Sequence, residues 1–528
     1  MSQILILSRR RLAPSRKLVL TILLTGFADW LFFGWDPGIS VILFFLALSS
    51  AAVLAHPVHA RSRHIYLACG VLAVSLLPMI EGFGFLSLAF GLAGVLFFIL
   101  TISGAWPHIG RSTGLLLLHI FVQMPLRLLP ELSREMKTGK KRLQKNWLFG
   151  WLVTLALCFV FGGLLAAGNP LIADFLNQAT GMWGGARSFN PGRLLFWLVF
   201  LTAIWSVVGF SVWRYRKLRP LRSVAAIHSA GESMADNIAS GQTVFRCLVL
   251  FNLLFAIQTG LDLWYLWGGA ELPHGMTYAE YAHRGAYPLL ATALLAACLV
   301  LVAMRHGGPG EDSALIRLLL YVWVFQNILL VLSSILRLDL YVEVYSLTMV
   351  RMAAFIWMGL VVFGLALIIV SIALRRGNSW LLRMNSYALI GTLYFCCFIN
   401  FPALIAGFNF QSSQTACESC SGFDFNYAVR LGEQAFPVID TFLSEYSGKV
   451  EACYRDVGDD PEANYTGWQL CEGKRKHYVK MVDRRNRVAD GYIGRIRNWR
   501  DWTYSDRRAM AYLDGNARLV ATDFTNER

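Results

Sequence analysis

The chain has 528 residues, of which 56% are hydrophobic and only 15% are charged. Soluble globular proteins carry about 25% charged residues, so this composition excludes an ordinary soluble protein and predicts a membrane protein with many spans. The net charge of +15 is uneven, because residues 1–407 hold 31 Lys and Arg against 15 acidic residues, whereas residues 408–528 hold 17 against 18. We interpret the positive excess as the orientation charge of a membrane region and not as a nucleic-acid-binding surface.

The predicted fold is all-α and polytopic, with about eleven transmembrane helices and a small, mainly helical C-terminal soluble domain. Each of eleven apolar runs is about 20 residues long, which is the length that a helix needs to cross the hydrocarbon core of a bilayer. In chain order, the predicted spans are residues 17–35, 38–56, 65–83, 86–106, 147–168, 194–213, 243–266, 285–304, 316–336, 346–374 and 387–407.

The distribution of basic residues predicts the orientation of these spans. If the N-terminus is cytoplasmic, the cytoplasmic side collects 26 Lys and Arg and the opposite side collects 5. This asymmetry predicts a multi-pass membrane protein with the N-terminus in the cytoplasm and the C-terminal domain outside it. The basic start resembles a signal peptide, but no small-residue cleavage site follows, so the first span is predicted to be retained.

Four regions are predicted. They are an N-terminal membrane half (1–222), a polar cytoplasmic linker (223–242), a second membrane half of about five spans (243–407) and the extracytoplasmic domain (408–528). An apolar run at 113–130 is short and contains Pro and Arg, so an interfacial or re-entrant helix is predicted there. Whether this segment inserts into the membrane is left open.

Local signals divide the C-terminal domain into helices. Asp424 is predicted to cap a first helix that Gly432 ends, and a second helix is predicted from about residue 433 to 446. A basic, aromatic helix is expected from about residue 475 to 502, and another from 505 to 513.

Several polar side chains fall toward the outward ends of the predicted spans. Ionisable groups in a bilayer cost at least a few kcal/mol unless they pair or face a cavity. The predicted ligand or ion pocket in the outward half consists of Asp29, Asp262, Tyr281, His283, Arg284, Glu343 and Arg351. Arg284 and Arg351 are the expected counter-charges, and Glu343 shares a face with Arg351 if one helix contains both. The alternative is structural: ion pairs that hold helices together, or side chains that reach interfacial water.

Four cysteines lie outside the predicted spans, namely Cys417, Cys420, Cys453 and Cys471. On an oxidising side of the membrane they suggest two disulfides, for which three pairings exist. A zinc site and a redox CxxC are the alternatives. The spacing lacks the second close pair of a zinc ribbon, and no βαβ context surrounds the CxxC, so no metal site is predicted.

No catalytic motif is evident. The chain contains no phosphate-binding glycine loop of the G-x4-G-K-[ST] type, no HExxH and no GxSxG. The sequence therefore names no catalytic residue and no cofactor, and it favours a non-enzymatic protein. The expected partners are the lipid bilayer and an envelope protein or a small ligand, and no nucleic acid is expected.

Six segments, taken in order, carry a resemblance to a known family. They are ADWLFFG (28–34), the stretch from Asn252 through DLWYLWGGAELP (252–273), YAHRGAYPLL (281–290), LYVEVYSLTMVRM (340–352), NYAVRLGEQAFP (426–437) and NWRDWTYSDRRAMAYL (498–513). With these segments the chain resembles the uncharacterised bacterial inner-membrane family known as domain of unknown function 4173, which is related to the 4153 type. The resemblance implies a polytopic membrane protein and implies no activity.

Three functions follow as hypotheses. The first is a transporter-like or envelope-sensing module that uses the outward pocket. The second is a membrane enzyme acting on lipid or envelope glycan, with Asp29 or Asp262 as general base and Arg284 holding an anionic group. The third is a scaffold that docks an envelope partner through the C-terminal domain.

Overall fold

The computed structural model describes residues 14–55, 62–103, 191–208, 241–264, 313–415, 423–457, 465–495 and 498–520. Within these ranges all regular structure is helical, and no strand occurs. The helices are α1 (Pro14–Phe32), α2 (Ile39–Ala55), α3 (Ser62–Glu81), α4 (Phe85–Ile102), α5 (Pro191–Val208), α6 (Gly241–Asp262), α7 (Ala314–Tyr345), α8 (Met349–Ala373), α9 (Asn378–Cys396), α10 (Phe401–Thr415), α11 (Phe425–Arg430), α12 (Phe436–Val457), α13 (Tyr465–Arg495) and α14 (Tyr504–Asn516). Two short 3-10 turns lie at Glu433–Ala435 and Trp499–Asp501.

Five of the described helices, α3, α4, α6, α7 and α8, are long and apolar enough to cross a membrane. A sixth span is added if the bent pair α9 and α10 is counted as one. The all-helical class is confirmed, and the described part of the chain supports five or six spans of the eleven predicted. The predicted spans 147–168 and 285–304, and the run at 113–130, lie outside the described residues.

The last predicted span, residues 387–407, is wrong as a single helix. Helix α9 ends at Cys396, and α10 begins at Phe401 in a direction that differs by 75°. The side chain of Asn400 accepts a hydrogen bond from the backbone N–H of Ala403, 3.2 Å away, and so caps α10. Pro402 lies in the first turn of α10, where a backbone N–H has no partner within the helix, so its absence loses no hydrogen bond. Inside a continuous helix the same proline would remove a backbone hydrogen bond and kink or break the helix.

Helix α7 is longer than the predicted span at 316–336. Its 32 residues correspond to about 48 Å, more than a bilayer core requires. The helix ends where Ser346 adopts a positive φ of 64°, and the side chain of Thr348 caps α8 by accepting the N–H of Arg351. The side-chain amide of Asn409 holds this turn, since its oxygen accepts the N–H of Leu347 at 2.6 Å and its nitrogen donates to the carbonyl of Leu347 at 2.9 Å.

The chain divides into two compact units, which we describe separately. The first contains Met1–Leu221 and Ile496–Asp506, and the second contains Arg222–Arg495 and Arg507–Arg528. In the first unit, small residues allow close helix packing. A Cβ on Gly94 of α4 would lie 1.7 Å from the hydroxyl of Ser75 on α3. Small residues at such crossings are typical of membrane helices, whose packing depends on close van der Waals contact.

The first unit also brings together two of the segments that carried the family resemblance. The guanidinium of Arg500 stacks on aromatic rings from both segments, with its central carbon 4.4 to 5.7 Å from the ring centroids of Trp30, Trp35 and Trp499. Cation–π contacts of this kind contribute about 0.5–1 kcal/mol each where they are exposed to solvent.

The backbone of the Trp499–Asp501 turn lies directly against the start of α2. The N–H of Ile39 donates to the carbonyl of Trp502 at 2.9 Å. Gly38 makes the contact possible, because a Cβ there would lie 2.5 Å from the carbonyl carbon of Asp501. The Asp501 side chain is buried, and burial raises the pKa of its carboxyl above the usual range, with the nearby charge of Asp36 raising it further.

In the second unit, the C-terminal helices follow the local signals only in part. Asp424 caps α11 as predicted, accepting the N–H of Tyr427 at 2.9 Å, and Gly432 follows with a φ of 93°. Helix α12 extends eleven residues beyond the predicted end at 446. The predicted helix from about 475 to 502 is wrong at both ends, because α13 begins at Tyr465 and ends at Arg495.

A buried charge network connects these helices. Arg485 on α13 is fully buried and donates to both carboxylate oxygens of Asp440 on α12, at 2.8 and 2.7 Å. It also donates to the backbone carbonyls of Asn516 and Ala517, and Tyr512 donates to Asp440 at 2.8 Å. The same two helices are joined by a disulfide between Cys453 and Cys471.

Candidate functional site: a polar seam between two apolar helices

Helices α6 and α7 pack together along faces that are apolar at one end and polar at the other. On α6 the face runs through Leu248, Asn252, Phe255 and Asp262, at the spacing of three or four residues that places side chains on one side of a helix. The Asn252 amide donates to the carbonyl of Leu319 on α7 at 3.1 Å. Because Asp262 meets Arg337 further along both helices, α6 and α7 run in the same direction.

An ion pair lies at the far end of this contact. The guanidinium of Arg337 donates to one carboxylate oxygen of Asp262. The exposed fractions of the two residues are only 7% and 1%. Gln258, one helical turn before Asp262, donates to the same oxygen at 3.0 Å. An ion pair this deeply buried is not expected to be stabilising in itself, since the desolvation of both charges offsets their attraction.

Further polar atoms on the same two helices have unused hydrogen-bonding capacity. The buried side-chain atoms on α6 and α7 that lack a hydrogen-bond partner, within the part of the chain that the structure describes, include Asn252 Oδ1, Thr259 Oγ1, Asp262 Oδ2, Trp323 Nε1, Gln326 Oε1 and Asn327 Oδ1. We call these residues, with Gln258 and Arg337, the polar seam.

The polar seam extends far along the helices. From Asn252 to Asp262 it covers about 15 Å of α6. In a membrane, each polar group without a partner costs several kcal/mol, so such groups occur where they line water, a ligand or an ion pathway. The arrangement therefore presents a series of donors and acceptors that ends at a carboxylate.

Asp29 belongs to a different arrangement, in the first unit. Its carboxylate receives the Nε and Nη2 groups of Arg193 at 2.9 and 2.5 Å and the indole N–H of Trp197 at 2.9 Å. The Arg193 guanidinium also stacks on Phe33, 4.9 Å from the ring centroid. Three donors from α5 thus engage one carboxylate on α1, which is the geometry of a contact that joins two helices.

The remaining predicted pocket residues are not brought together in the described structure. Arg351 donates to the carbonyl of Tyr345 at 2.6 Å and to that of Ser346, and so binds the C-terminal end of α7. Glu343 is exposed on α7, and that helix ends before Arg351, so the two do not share one helix. Tyr281, His283 and Arg284 lie outside the described residues, as do Cys417 and Cys420.

Sequence reasoning missed most of the polar seam. Arg337 follows directly after the predicted span at 316–336, and Asn252 and Asn327 fall within predicted apolar spans, so none of the three was predicted as a site residue. The available signal was local: an amide, Gln258, stands four residues before Asp262, and amides recur at helical spacing within apolar runs.

A comparison with protein families gives one match. The family model described as a domain of unknown function, DUF4153, matches residues 66–442, a range that contains α6, α7 and the whole polar seam. No curated protein and no solved structure matches this chain. The finer assignment to the 4173 type stays a prediction. Because the matched range covers most of its length, the chain belongs to the DUF4153 family, whose function is unknown.

Proposed function

We propose that this chain is a bacterial inner-membrane protein that conducts or senses a small polar species, a proton or a small hydrophilic ligand, along the polar seam. The observation that carries the proposal is the buried pair of Asp262 and Arg337 at the end of a row of polar atoms with unused hydrogen bonds. Ionisable residues inside membrane helices are costly to keep, and they usually mark ion pathways, relays or binding sites.

The orientation predicted from basic residues supports an outward-facing site. With a cytoplasmic N-terminus, the last turn of α6 lies toward the non-cytoplasmic face, and Asp262 belongs to that turn. A proton or cation that reaches the carboxylate weakens its attraction for Arg337. The two helices are then free to adjust their packing, which is the kind of change that transport and sensing both require.

The test is a flux measurement on purified protein in liposomes that contain a trapped pH-sensitive dye and carry an imposed membrane potential. We expect Asp262→Asn and Arg337→Gln to reduce proton flux about tenfold or more, a change of at least about 1.4 kcal/mol in the barrier. The double variant leaves no unpaired charge, so it should insert normally and remain inactive. The matched control is Asp339→Asn, which removes an exposed carboxylate from the same helix.

Equal flux in the two single variants and the control would contradict a role for the polar seam in conduction. If the wild-type protein gives no flux above empty liposomes, conduction is ruled out, and the sensing form of the proposal is tested by thermal shift against small hydrophilic solutes. If no solute stabilises the wild-type protein, or if Asp262→Asn is stabilised equally, the sensing form of the proposal is contradicted as well.

A further inference from the structure

A partly open cavity of about 390 Å³ lies in the second unit, and none of the polar seam lines it. Its walls come from the end of α10, the segment that begins α11, and helices α12 and α13. Small-molecule sites in proteins have volumes of about 300–1,000 Å³, with apolar and aromatic walls and a few polar groups. This cavity meets the size criterion, and its two kinds of lining residue indicate what it can hold.

One wall of the cavity is aromatic. The rings of Phe423 and Phe442 lie 4.6 Å apart, and the ring of Phe410 stands edge-on to both, with centroid distances of 5.8 and 6.3 Å. Phe425 and Tyr446 continue the wall on either side of Phe442. These rings present a continuous apolar surface to a flat ring or a short hydrocarbon chain.

Three acceptor side chains of the lining already receive hydrogen bonds from the protein. Both carboxylate oxygens of Glu445 receive the amide nitrogen of Gln414, at 2.8 and 2.9 Å. Asp424 caps α11, and the amide oxygen of Asn426 receives Arg484 at 2.7 Å. Each of these three side chains is therefore held in place by a donor of the protein itself.

Two side chains at the rim offer donors that the protein does not use. Lys449 on α12 and His477 on α13 both line the cavity and are exposed, and neither makes a hydrogen bond or ion pair within the described ranges. An anionic group placed between them would gain charge-assisted hydrogen bonds.

We propose that this cavity binds a small anionic amphiphile, whose carboxylate or phosphate faces Lys449 and His477 and whose apolar body lies against Phe423 and Phe442. The site is separate from the polar seam and does not depend on its function. Two sources can supply this chemistry, a soluble organic acid and an anionic lipid of the bilayer.

The test is calorimetric titration of the full chain in phosphatidylcholine nanodiscs with phenylbutyrate and with its uncharged amide. The wild type should bind the acid more tightly than the amide. Lys449→Gln should weaken binding of the acid about three- to fivefold, as expected for an exposed charge contact, and leave the amide unchanged. The control Lys480→Gln, an exposed lysine of α13 outside the cavity, should change neither.

A second pair of variants tests the apolar wall. Ser413→Phe places a ring inside the cavity and should abolish binding of both probes. Phe423→Leu should weaken the binding of both probes equally. For each variant, an unchanged elution volume in size-exclusion chromatography and an unchanged melting temperature show that the protein is folded. Equal affinity of the wild type for acid and amide, no binding of either probe, or full binding in Ser413→Phe would each overturn the proposal. If phenylbutyrate binds more weakly in phosphatidylglycerol nanodiscs than in phosphatidylcholine nanodiscs, an anionic lipid is the natural occupant. If its affinity is the same in both, the natural occupant is a soluble acid.

Discussion

Gly38→Ala tests whether the Trp499–Asp501 turn is held against the start of α2. The φ of Gly38 is not positive, so alanine fits its backbone conformation and any effect comes from the contact alone. The added Cβ would lie 2.5 and 2.6 Å from the carbonyl carbon and oxygen of Asp501 and 2.8 Å from the carbonyl oxygen of Arg500. All three are backbone atoms, which cannot rotate out of the way as the end of a side chain can.

The expected cost follows from what the turn loses when it moves away. Displacement by about 1 Å breaks the hydrogen bond from Ile39 to Trp502, worth about 1 kcal/mol. It also weakens the stacking of Arg500 on Trp30 and Trp35, worth about 0.5–1 kcal/mol each, whereas Trp499 moves with the turn. We therefore expect Gly38→Ala to lower the free energy of unfolding of the first unit by about 2–3 kcal/mol.

The assay is trypsin cleavage after Arg500 together with denaturation followed by tryptophan fluorescence. The control is Gly26→Ala in α1, where an added Cβ meets no atom within 4 Å and alanine favours the helix. Cleavage and unfolding of Gly38→Ala that match those of Gly26→Ala would refute the reasoning.

Two further predictions concern the C-terminal helices. Arg485→Met leaves Asp440 buried without its partner, so the free energy of unfolding should fall by about 3–5 kcal/mol. The control Arg487→Met, on the exposed face of α13, should change it by less than about 0.5 kcal/mol. Equal effects of the two variants in denaturant titrations would contradict the role of the network. The hydrogen bond from Arg475 lowers the pKa of Glu472 from 4.5 to about 2, so its stabilising contribution is complete above pH 4.5 and is lost as the pH falls toward 2. Glu472→Gln should therefore flatten this part of the acid-denaturation curve, and an unchanged curve would argue against the pairing.

The sequence predicted those features that depend on neighbouring residues. Apolar runs located most of the described spans to within a few residues, with the exception of α7 and of the pair α9 and α10. Asp424 was recognised as a cap because its partner, Tyr427, is three residues away. The break at Asn400 was missed because mean hydropathy averages over it, although an asparagine two residues before a proline is a local start signal.

Pairings between distant residues could not be read from the sequence. Asp262 meets Arg337, 75 residues away, and Asp29 meets Arg193, 164 residues away. Both acids were recognised as unusual because charges in apolar runs are costly, but several arginines were available on the same side. Only the packing of the helices decides which arginine each acid meets.

The bend after α9 has a mechanical consequence. If α9 crosses the bilayer near its normal, α10 lies nearly in the plane of the membrane, because the two helix directions differ by 75°. Two sets of hydrogen bonds attach α10 to other parts of the second unit. The Asn409 side chain bonds the backbone of Leu347 between α7 and α8, and Asn400, just before α10, donates to Gln434 before α12 at 2.9 Å. Through these contacts α10 connects the turn between α7 and α8 with the segment that precedes α12, so a displacement of α10 would move or break both contacts.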